Sequence, residues 1–404
     1  MRILLLTPFV PSPDAPHGGG IALATLAAAM ADQARLGLVA LHRPGESTAT
    51  GRPWDYVRLV PHQDLPERRS SVFHRVRMLW RWWRLPLVAA KHWHPRLPGA
   101  LAQAMAEFRP DVVFVEMAQM AQYLRLLRRV PTVLTDHEAG VPANTRTGLG
   151  PLGDRRDRRL WHRYLLRCYP LASSLQAVTA EDARALARQF GVDVAVRKPL
   201  VPVAAAPVDV GRTPPRALFL GDYAHGPNPE AAARLARDLW PRIRATVPAA
   251  ELWLAGPNHD RIGELGALPG VRIVGFVPDL AALCAQVRFV FAPIYSGSGV
   301  RTKCIAAMAH GLPVVTNTLG ARGCDAPAVA CRVADDDAAL AALATGLLAD
   351  PASAADAGLA AHRWARANVD AAAIARTQID LASRTLQAFA AREPRAQALP
   401  AGTP

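Results

Sequence analysis

Cysteine and long apolar runs are both scarce in this chain. Among its 404 residues there are five cysteines, and no two of them form a Cys-x-x-Cys pair. An odd number of scattered cysteines favours neither a disulfide framework nor a zinc site, so we expect reduced thiols, as in a cytoplasm. No run of about 18 apolar residues is present, so we expect no transmembrane helix. The short apolar start is followed at once by Pro8 and Pro11, unlike a signal peptide.

Acidic residues are too few to balance the basic ones. Lysine and arginine together number 47, against 33 aspartates and glutamates, which gives a formal net charge of +14. Such an excess favours phosphate-bearing ligands, anionic lipid headgroups or nucleic acid as partners. No RNA-recognition motif, zinc-finger spacing or basic zipper accompanies the charge, so we expect no nucleic-acid partner.

The overall amino-acid composition is typical of a globular protein, and the order of apolar and helical segments is typical of an α/β protein. The length favours two domains over one. Short apolar runs alternate with longer helical patterns, which is typical of βαβ units and parallel sheets. The first series of predicted strands comprises residues 3–9, 38–41, 56–61, 112–116, 132–135 and 175–179. The second series comprises residues 217–220, 251–255, 271–277, 289–293, 313–316 and 330–333.

Between the two series the pattern dissolves into proline and alanine. We therefore predict an α/β protein with two Rossmann-like domains, at residues 1–195 and 216–370, joined by a linker at 196–215. A long Ala-rich helix at 371–392 is expected to pack back towards the first domain. Residues 393–404 are expected to form a frayed tail.

Two glycine-rich segments lie between a predicted strand and a predicted helix, where backbone amides can point at a phosphate. The first is residues 17–20, before a helix that we expect to begin near Ile21. Its spacing differs from the dinucleotide Gly-x-Gly-x-x-Gly fingerprint, which disfavours NAD. The second is residues 296–303, where Arg301 and Lys303 add charge suited to a diphosphate. The alternatives are a flexible turn for the first segment and an exposed basic turn for the second.

A third turn, residues 221–228, follows the first strand of the second series. The carboxyl edge of a parallel sheet is where ligands bind, so this turn is a candidate wall of the ligand crevice. The alternative is that Asp222 and Tyr223 are ordinary loop residues. After the turn, Asn228 as a cap, Pro229 at the first helical position and Glu230 in the first turn predict a helix that extends to about residue 243.

These motifs, in this order, resemble the group-one, family-four glycosyltransferases of GT-B fold. The second half carries most of the match, through the runs FLGD at 219–222, WLAGP at 253–257, VGFV at 274–277, GSGVRTK at 297–303 and AMAHGLPVV at 307–315. The last two runs look like the family's glycine-rich, Arg-x-Lys, Glu-Ala-Met-Ala and Gly-x-Pro-Val-Val signature. In the first half, the glycine segment and TDHE at 135–138 support the resemblance.

The resemblance implies two Rossmann-like domains that face a central cleft, with a nucleotide-sugar donor bound in the cleft and retention of the anomeric configuration. It also implies a catalytic role for His137, at the position where the family's histidine touches the transferred sugar. The alternative for His137 is a structural hydrogen-bonding role. The predicted donor-binding residues are Gly19, Gly20, Gly221, Asp222, Ser298, Gly299, Val300, Arg301 and Lys303.

The chain departs from the family pattern at Ser298 and Ala306, where relatives usually have glutamates. The second of these glutamates accepts hydrogen bonds from the nucleotide ribose. A non-catalytic glycosyltransferase-like binding subunit is therefore one alternative. A sugar-nucleotide epimerase of the same fold is another, and it needs carboxylates that face the donor, for which Glu116 and Glu138 are the candidates in the first half.

The sequence predicts neither a metal nor a cofactor, since the nucleotide-sugar is itself a substrate. No Asp-x-Asp metal site lies beside the second glycine-rich segment, and the acidic residues 335–337 read as a solvated loop. We therefore predict metal-independent transfer.

A cationic and aromatic segment stands out in the first half. Residues 68–105 contain no acid, and four tryptophans alternate there with arginines. A helix ended by Pro86 would place Trp80 and Trp83 on one apolar face, with Arg77, Arg81 and Arg84 beside it. Two interpretations stay open: residues 68–96 dock on an anionic membrane surface, or the tryptophans pack on the first sheet.

Together these features predict a retaining glycosyltransferase with a glycan or a lipid-linked acceptor. The expected process is the assembly of cell-surface polysaccharide, lipopolysaccharide or glycolipid. The expected location is the cytoplasm, with peripheral attachment at the inner face of the cell membrane as a further expectation.

Overall fold

The computed structural model describes residues 1–15, 18–43, 54–62, 80–137, 147, 150–297 and 300–391. The chain forms two compact units. Unit 1 contains Met1–Leu200 together with the chain from Ala371 onward, and unit 2 is Val201–Asp370.

Unit 1 is built on a parallel sheet of seven strands. The strands are β1 (Arg2–Thr7), β2 (Arg35–His42), β3 (Trp54–Pro61), β4 (Val112–Glu116), β5 (Thr132–Asp136), β6 (Ser174–Ala177) and β7 (Val194–Val196). Their order across the sheet is β3-β2-β1-β4-β5-β6-β7, and every neighbouring pair is parallel. The central strands are apolar at nearly every position because helices cover both faces of the sheet.

The helices of unit 1 flank this sheet. They are α1 (Gly18–Met30), α2 (Leu87–Lys91), α3 (Leu97–Glu107), α4 (Gly150–Cys168) and α5 (Ala180–Phe190), with 3-10 segments at Ala118–Leu126 and Tyr169–Leu171. Alternate side chains of β1 enter two different cores, because successive residues of a strand point to opposite faces. Leu4 and Leu6 pack in the core of α3 and α4, and Ile3 and Leu5 pack in the core of α1.

Unit 2 is built on a parallel sheet of six strands. These are β8 (Arg216–Leu220), β9 (Glu251–Ala255), β10 (Val271–Gly275), β11 (Phe289–Phe291), β12 (Val314–Thr316) and β13 (Cys331–Val333), in the order β10-β9-β8-β11-β12-β13. The helices are α6 (Pro227–Arg234), α7 (Trp240–Thr246), α8 (Leu280–Cys284), α9 (Thr302–Ala309), α10 (Asp337–Ala349) and α11 (Pro351–Asn368). A π-helical turn at Leu235–Leu239 connects α6 to α7, and 3-10 segments lie at Val210–Arg212 and His259–Ala267.

The last helix, α12 (Ala371–Ala390), belongs to unit 1. Its residues Ile374, Ala375, Leu381 and Ala382 are buried in the same core as α1. The hydroxyls of Thr385 and Ser174 lie 2.8 Å apart and fix the helix to the start of β6. The predicted tail at 393–404 lies outside the described residues.

Each of the twelve predicted strands corresponds to a strand of the structure, and the sheets contain one strand that the sequence did not predict. This strand is β7, at the boundary where a linker was expected to begin. It has three residues, lies at the sheet edge and is half-exposed, so it lacks the apolar run that identifies a buried strand. Its pairing with β6 is a tertiary contact, and unit 2 begins soon afterwards, at Val201.

The sequence also predicted reduced thiols and no transmembrane helix. All five cysteines are free, and all except Cys168 are buried. Among the described residues, no single helix combines the length and the apolar character of a membrane span. A bent pair, Asp337–Ala349 and Pro351–Ala390, with 103° between its arms, meets the same criterion by length and composition only.

Candidate active site

The strand order of each sheet reverses at one place. In unit 2 the reversal lies between β8 and β11, and in unit 1 it lies between β1 and β4. The segments that leave the carboxyl ends of two such strands diverge, and the crevice between them is where α/β sheets bind ligands. The β8 turn (residues 221–226) and the described residues after β11 (292–297 and 300–301, here called the β11 turn) therefore lie at the ligand-binding edge of unit 2.

The β8 turn is held in shape by its own polar groups. The exposed Asp222 carboxylate accepts hydrogen bonds from the Ala224 amide at 2.9 Å and from Asn258 Nδ2 at 2.8 Å. The buried Asn228 donates from Nδ2 to the carbonyl of Asp222 at 2.8 Å. A Cβ at Gly221 would come within about 3 Å of the Asn228 side chain, so glycine is required at this position. The Asp222 side chain thus organises the turn.

Helix α6 begins slightly earlier than the capping pattern predicted. Gly226 is its N-cap residue and Pro227 its first helical residue, so Asn228 lies within the first turn rather than at the cap. The reason is that the Asn228 side chain is already used, because Nδ2 donates to the Asp222 carbonyl and Oδ1 accepts from Lys303. The helical path continues beyond the predicted end near residue 243, to Thr246.

The β11 turn is organised from inside by Arg301. Arg301 is only 8% exposed, which argues against the alternative that residues 296–303 form an exposed basic turn. Its Nη2 donates to the carbonyl of Gly297 at 3.0 Å, and its Nε donates to the carbonyl of Leu319 at 3.4 Å. Gly297 has a φ of +95°, in the left-handed region that favours glycine. Val300 packs against the core of unit 2, whereas Ser298 and Gly299 lie outside the described residues.

Lys303 of α9 connects the two helices that follow these turns, through Asn228 of α6. Its Nζ donates to Asn228 Oδ1 at 2.7 Å and lies 4.3 Å from the centre of the Phe219 ring. Burial, together with the nearby charge of Arg301, lowers the pKa of Lys303 to about 8. An ammonium group in such surroundings is stabilised by an arriving anion, because opposite charge favours its protonated form.

The start of α9 adds backbone donors beside Lys303. The helix begins at Thr302, and its N-cap residue, Arg301, makes no capping hydrogen bond from its side chain. The first amides of a helix lack intrahelical partners and carry the positive end of the helix dipole. This end of α9 therefore suits a phosphate group.

Ala306 lies one helical turn after Lys303 and is partly exposed. Residues three apart on a helix share a face, so Ala306 occupies the side that carries Lys303. A methyl group accepts no hydrogen bond, so position 306 provides no carboxylate for a ribose. Any recognition of ribose hydroxyls in this chain must come from other groups.

In unit 1, the three glycines are helical rather than part of a loop. Helix α1 begins at Gly18, three residues before the predicted start near Ile21, so Gly19 and Gly20 form its first turn. Glycine is a poor helix former, which is why the sequence favoured a loop. Packing of α1 in the core that it shares with α12 overrides that preference. His17 lies outside the described residues.

His137 follows β5 and contacts two charged side chains. Its Nε2 lies 2.9 Å from Glu116 Oε2 and 3.3 Å from Arg197 Nη2. Arg197 donates to both carboxylate oxygens of Glu116, at 2.6 Å from Nη1 and at 2.8 Å from Nη2. The Glu116 and Arg197 side chains are 1% and 7% exposed, whereas that of His137 is 25% exposed.

The charge state of Glu116 follows from these contacts. Burial alone would raise the pKa of Glu116, but the charge of Arg197 and the hydrogen bonds from His137 and Arg197 hold it well below its usual range. A carboxylate kept ionised in this way is a poor proton donor. The structure therefore gives Glu116 no role as a general acid of the kind that the epimerase alternative needs. The other candidate, Glu138, lies outside the described residues.

Arg197 is the residue of this site that the sequence did not identify. It directly follows β7, within the stretch that was predicted to be a linker. In the sequence, Arg197 is a lone arginine after the valine and alanine residues of 194–196. Nothing in that short stretch indicates that its partner is Glu116, 81 positions earlier in the chain. Only the pairing of β7 with β6 brings it beside Glu116 and His137.

Of the acidic residues 335–337, Asp335 and Asp336 are exposed, as expected for a solvated loop, and all three carboxylates also have structural partners. Asp335 accepts hydrogen bonds from the amide and the hydroxyl of Thr318, Asp336 caps α10, and Asp337 pairs with Arg234 at 2.9 Å. Within the described parts of the chain, no group of three His, Cys, Asp or Glu side chains is arranged to hold a metal ion.

The tryptophans of the cationic segment divide into buried and exposed ones. Trp82 is buried, and its indole N–H donates to the buried Asp157 of α4 at 2.8 Å. Trp80 and Trp83, by contrast, are 63% and 70% exposed. Trp80 and Trp83 therefore do not pack on the first sheet, which was one of the two interpretations of this segment. The predicted positions 68–79 lie outside the described residues.

Helix α4 continues this exposed surface. Its Arg156 lies over the rings of both Trp82 and Trp83, at 4.5 and 4.4 Å. The outward side of α4 carries Leu152, which is 78% exposed, and the exposed arginines Arg155, Arg158, Arg159, Arg163 and Arg167. We call Trp80, Trp83 and these exposed residues of α4 the Trp/Arg surface.

Comparison with solved structures defines the class of fold. Sucrose-phosphate synthase from Thermosynechococcus elongatus is similar with a TM-score of 0.67 and 18% identity, over 96% of this chain and 100% of that one. HepE from Anabaena, solved with UDP, has a TM-score of 0.61 and 16% identity, over 95% and 100%. Trehalose 6-phosphate synthase from Burkholderia multivorans has a TM-score of 0.61 and 13% identity, over 100% and 99%. The fold is the GT-B fold of two Rossmann-like domains.

Family models identify the chain more narrowly. Residues 16–198 match the model described as Glycosyltransferase Family 4, and residues 214–350 match the model described as Glycosyl transferases group 1. The chain belongs to the group 1 glycosyltransferases and is a transferase enzyme. No curated protein matches it by sequence.

Proposed function

We propose that this glycosyltransferase moves a sugar from a nucleotide-sugar donor to a glycan or a lipid-linked acceptor, with retention of the anomeric configuration. The observation that carries the proposal is the contact between Lys303 and Asn228, which joins the helices that follow the β8 and β11 turns at the switch point of unit 2. HepE from Anabaena was solved with UDP and with UDP-glucose, which supports a donor of the same class here.

In this proposal the diphosphate of the donor binds at the start of α9. Lys303 and the first amides of α9 contact the phosphates, while Arg301 contributes charge and holds the turn that presents those amides. Positive groups fixed beside the leaving diphosphate stabilise the charge that develops as the glycosidic bond breaks. In unit 1, the start of α1 at Gly19 and Gly20 and the imidazole of His137 contact the transferred sugar.

The experiment is incubation of the protein with a panel of sugar nucleotides and candidate acceptors, with release of nucleoside diphosphate and the anomeric configuration of the product as readouts. Release that depends on acceptor, with a product of unchanged configuration, is the expected result. Tight binding of a nucleoside diphosphate without any release would favour the binding-subunit alternative. Inversion would overturn the retaining mechanism while leaving the donor class intact.

We further propose that the acceptor is lipid-linked and that the Trp/Arg surface docks on an anionic membrane. The indoles of Trp80 and Trp83 are exposed, and five exposed arginines of α4 lie on the neighbouring helix. The two acids of α4, Asp154 and Asp157, do not offset this charge, because the same helix contains six arginines. Interfacial aromatic rings combined with basic residues are the usual means of binding anionic lipid.

Substitution of Trp80 and Trp83 by serine is expected to reduce binding to anionic vesicles at least about tenfold, because each indole loses apolar burial in the lipid interface. Co-sedimentation with vesicles that contain phosphatidylglycerol measures this. Phe276→Ser is the matched control, since Phe276 is an aromatic residue of unit 2 that is 68% exposed. Equal binding of the double variant and the control would remove the membrane proposal.

A further inference from the structure

Glu116 and Arg197 form a buried ion pair that the proposed donor chemistry does not use. Glu116 is the last residue of β4, on one side of the switch point of unit 1, and Arg197 follows β7 at the edge of the sheet. The two hydrogen bonds between them make a bidentate pair, the strongest geometry for these groups. Such a pair contributes little to the free energy of folding, because both charges must leave water. We therefore looked for a role of the pair other than stabilising the fold.

The network around the pair fixes its orientation. The amide of Arg197 donates to the carbonyl of Ala177 at 2.8 Å, which continues the β6–β7 pairing and holds the backbone of Arg197. The hydroxyl of Thr135 lies 3.2 Å from Glu116 Oε1 and 3.2 Å from Gln176 Oε1. The carboxylate is thus contacted by Thr135 of the neighbouring strand β5 and by Arg197, with its second oxygen directed at His137.

The geometry also assigns the proton of a neutral His137 ring. An ionised carboxylate can only accept, so the 2.9 Å contact between Glu116 Oε2 and His137 Nε2 requires the proton to lie on the imidazole. Arg197 Nη2 lies 3.3 Å from Nε2, but it donates to Glu116 Oε2 at 2.8 Å rather than to the ring. In the neutral ring the lone pair is then on Nδ1. Because the His137 side chain is a quarter exposed whereas Nε2 faces the buried pair, the ring offers its free edge to a ligand. A histidine whose tautomer is set by a carboxylate on its other nitrogen is a common arrangement in enzymes.

We propose that Glu116 and Arg197 are positioning residues for His137, and that together they present Nδ1 as a hydrogen-bond acceptor for a hydroxyl of the transferred sugar. Arg197 holds the carboxylate, the carboxylate holds the imidazole, and the imidazole contacts the sugar. This inference rests on the proposed function for the identity of the ligand, while the orientation of the ring rests on the network alone.

The test is Glu116→Gln, which preserves shape but removes the negative charge and one acceptor of the bidentate pair. We expect kcat to fall at least about tenfold while KM for the donor changes less than about threefold, because the positioning acts on the reacting sugar and not on the diphosphate. Nitrogen-15 NMR of labelled histidine, at a pH where the ring is neutral, is expected to show that the Nε2-protonated form of His137 loses its predominance.

Tyr169→Phe is the matched control. The Tyr169 hydroxyl donates a buried hydrogen bond to Asp136 of β5 at 2.5 Å, one residue from His137, but does not contact the imidazole. This variant is expected to keep kcat and the His137 tautomer. Arg197→Lys is the second variant, since it preserves the charge, loses the bidentate geometry and is expected to give intermediate values of both.

The outcomes separate the two proposals. A fall in kcat with an unchanged tautomer, or a changed tautomer with wild-type kcat, would each overturn the positioning role. If the wild-type protein transfers no sugar, the proposed function fails, and the NMR measurement on wild type and Glu116→Gln still decides whether the pair sets the tautomer. Should Glu116→Gln fold poorly, Arg197→Lys provides the same two readouts.

Discussion

Lys303 is a half-buried cation whose protonation is coupled to ligand binding. Its ammonium donates to Asn228 and lies on the Phe219 ring, in surroundings that lower its pKa to about 8 through burial and the charge of Arg301. A diphosphate at the start of α9 would stabilise the protonated form. Binding of the diphosphate and protonation of Lys303 are therefore coupled.

This coupling predicts a pH dependence with a definite sign. Below the pKa of about 8, Lys303 is already charged, and binding requires no proton uptake. Above it, binding must also protonate the amine, so the affinity for a nucleoside diphosphate falls by up to about tenfold per pH unit. The phosphates do not titrate in this range, because their last pKa is about 6. Titration calorimetry in buffers of different ionisation enthalpy measures both the affinity and the proton uptake.

Lys303→Met is expected to weaken nucleoside diphosphate binding by about 1.5–3 kcal/mol, the usual size of a hydrogen bond to a charged group, and to abolish the pH dependence. Arg237→Met removes an equal charge from the same unit at an exposed pair with Glu264, and is expected to bind as wild type. If Lys303→Met binds with the wild-type affinity and pH profile, the diphosphate lies elsewhere.

The shape of the ligand-binding edge of unit 2 depends on how the helix starts and strand ends pack against one another. The β8 turn rests on the end of β9, because the amide of Gly221 donates to the carbonyl of Ala255 at 3.0 Å. Gly256, the next residue, has a φ of +139°, and a Cβ there would overlap the carbonyl of Gly221. The glycine is therefore required by the close approach of two backbones at the ligand-binding edge.

Gly256→Ala is expected to lower the free energy of unfolding by about 1–3 kcal/mol, because the added methyl must displace the β8 turn. Donor affinity is expected to fall with it, since the displaced turn carries Gly221 and Asp222. Gly263→Ala is the control, as a Cβ at Gly263 meets open space. Urea unfolding and nucleotide titration measure the two effects. Equal stability of the two alanine variants would show that the turn adapts without cost.

At the scale of the whole molecule, the division into units does not follow the order of the chain. The chain passes from unit 1 to unit 2 after Leu200 and returns at Ala371, where α12 enters the core of α1. Unit 1 therefore depends on residues that follow unit 2 in the chain. Its core is incomplete until α12 is in place.

Leu381→Ala is expected to lower the free energy of unfolding of unit 1 by about 2–4 kcal/mol, because a buried leucine is lost from the core that α12 shares with α1. Nucleoside diphosphate affinity, a property of unit 2, is expected to stay unchanged. Arg376→Ala, at an exposed position of the same helix, controls for helix propensity. Calorimetric melting with and without nucleotide measures both, and a matching loss of affinity would contradict the assignment of α12 to unit 1.

Local sequence patterns were sufficient for twelve of the thirteen strands in the described residues, for the fold class and for the motif around Arg301 and Lys303. Buried parallel strands are apolar along their length, and helix starts beside glycine-rich turns have a recognisable composition, so these features are written into short stretches of chain. The GT-B resemblance rests on the same stretches, and the family and fold comparisons confirm it.

Only the tertiary structure decided which polar groups meet. Arg301 holds its own turn, Lys303 pairs with a residue 75 positions earlier, and Arg197 reaches Glu116 across 81 positions. The two long-range contacts, of Lys303 and of Arg197, arise because parallel sheets bring the ends of distant strands to one edge. A local sequence pattern does not indicate which distant residues will meet there. The edge strand β7 and the helical start at Gly18 were missed for the same reason, since neighbours in space, rather than residues nearby in the chain, stabilise both.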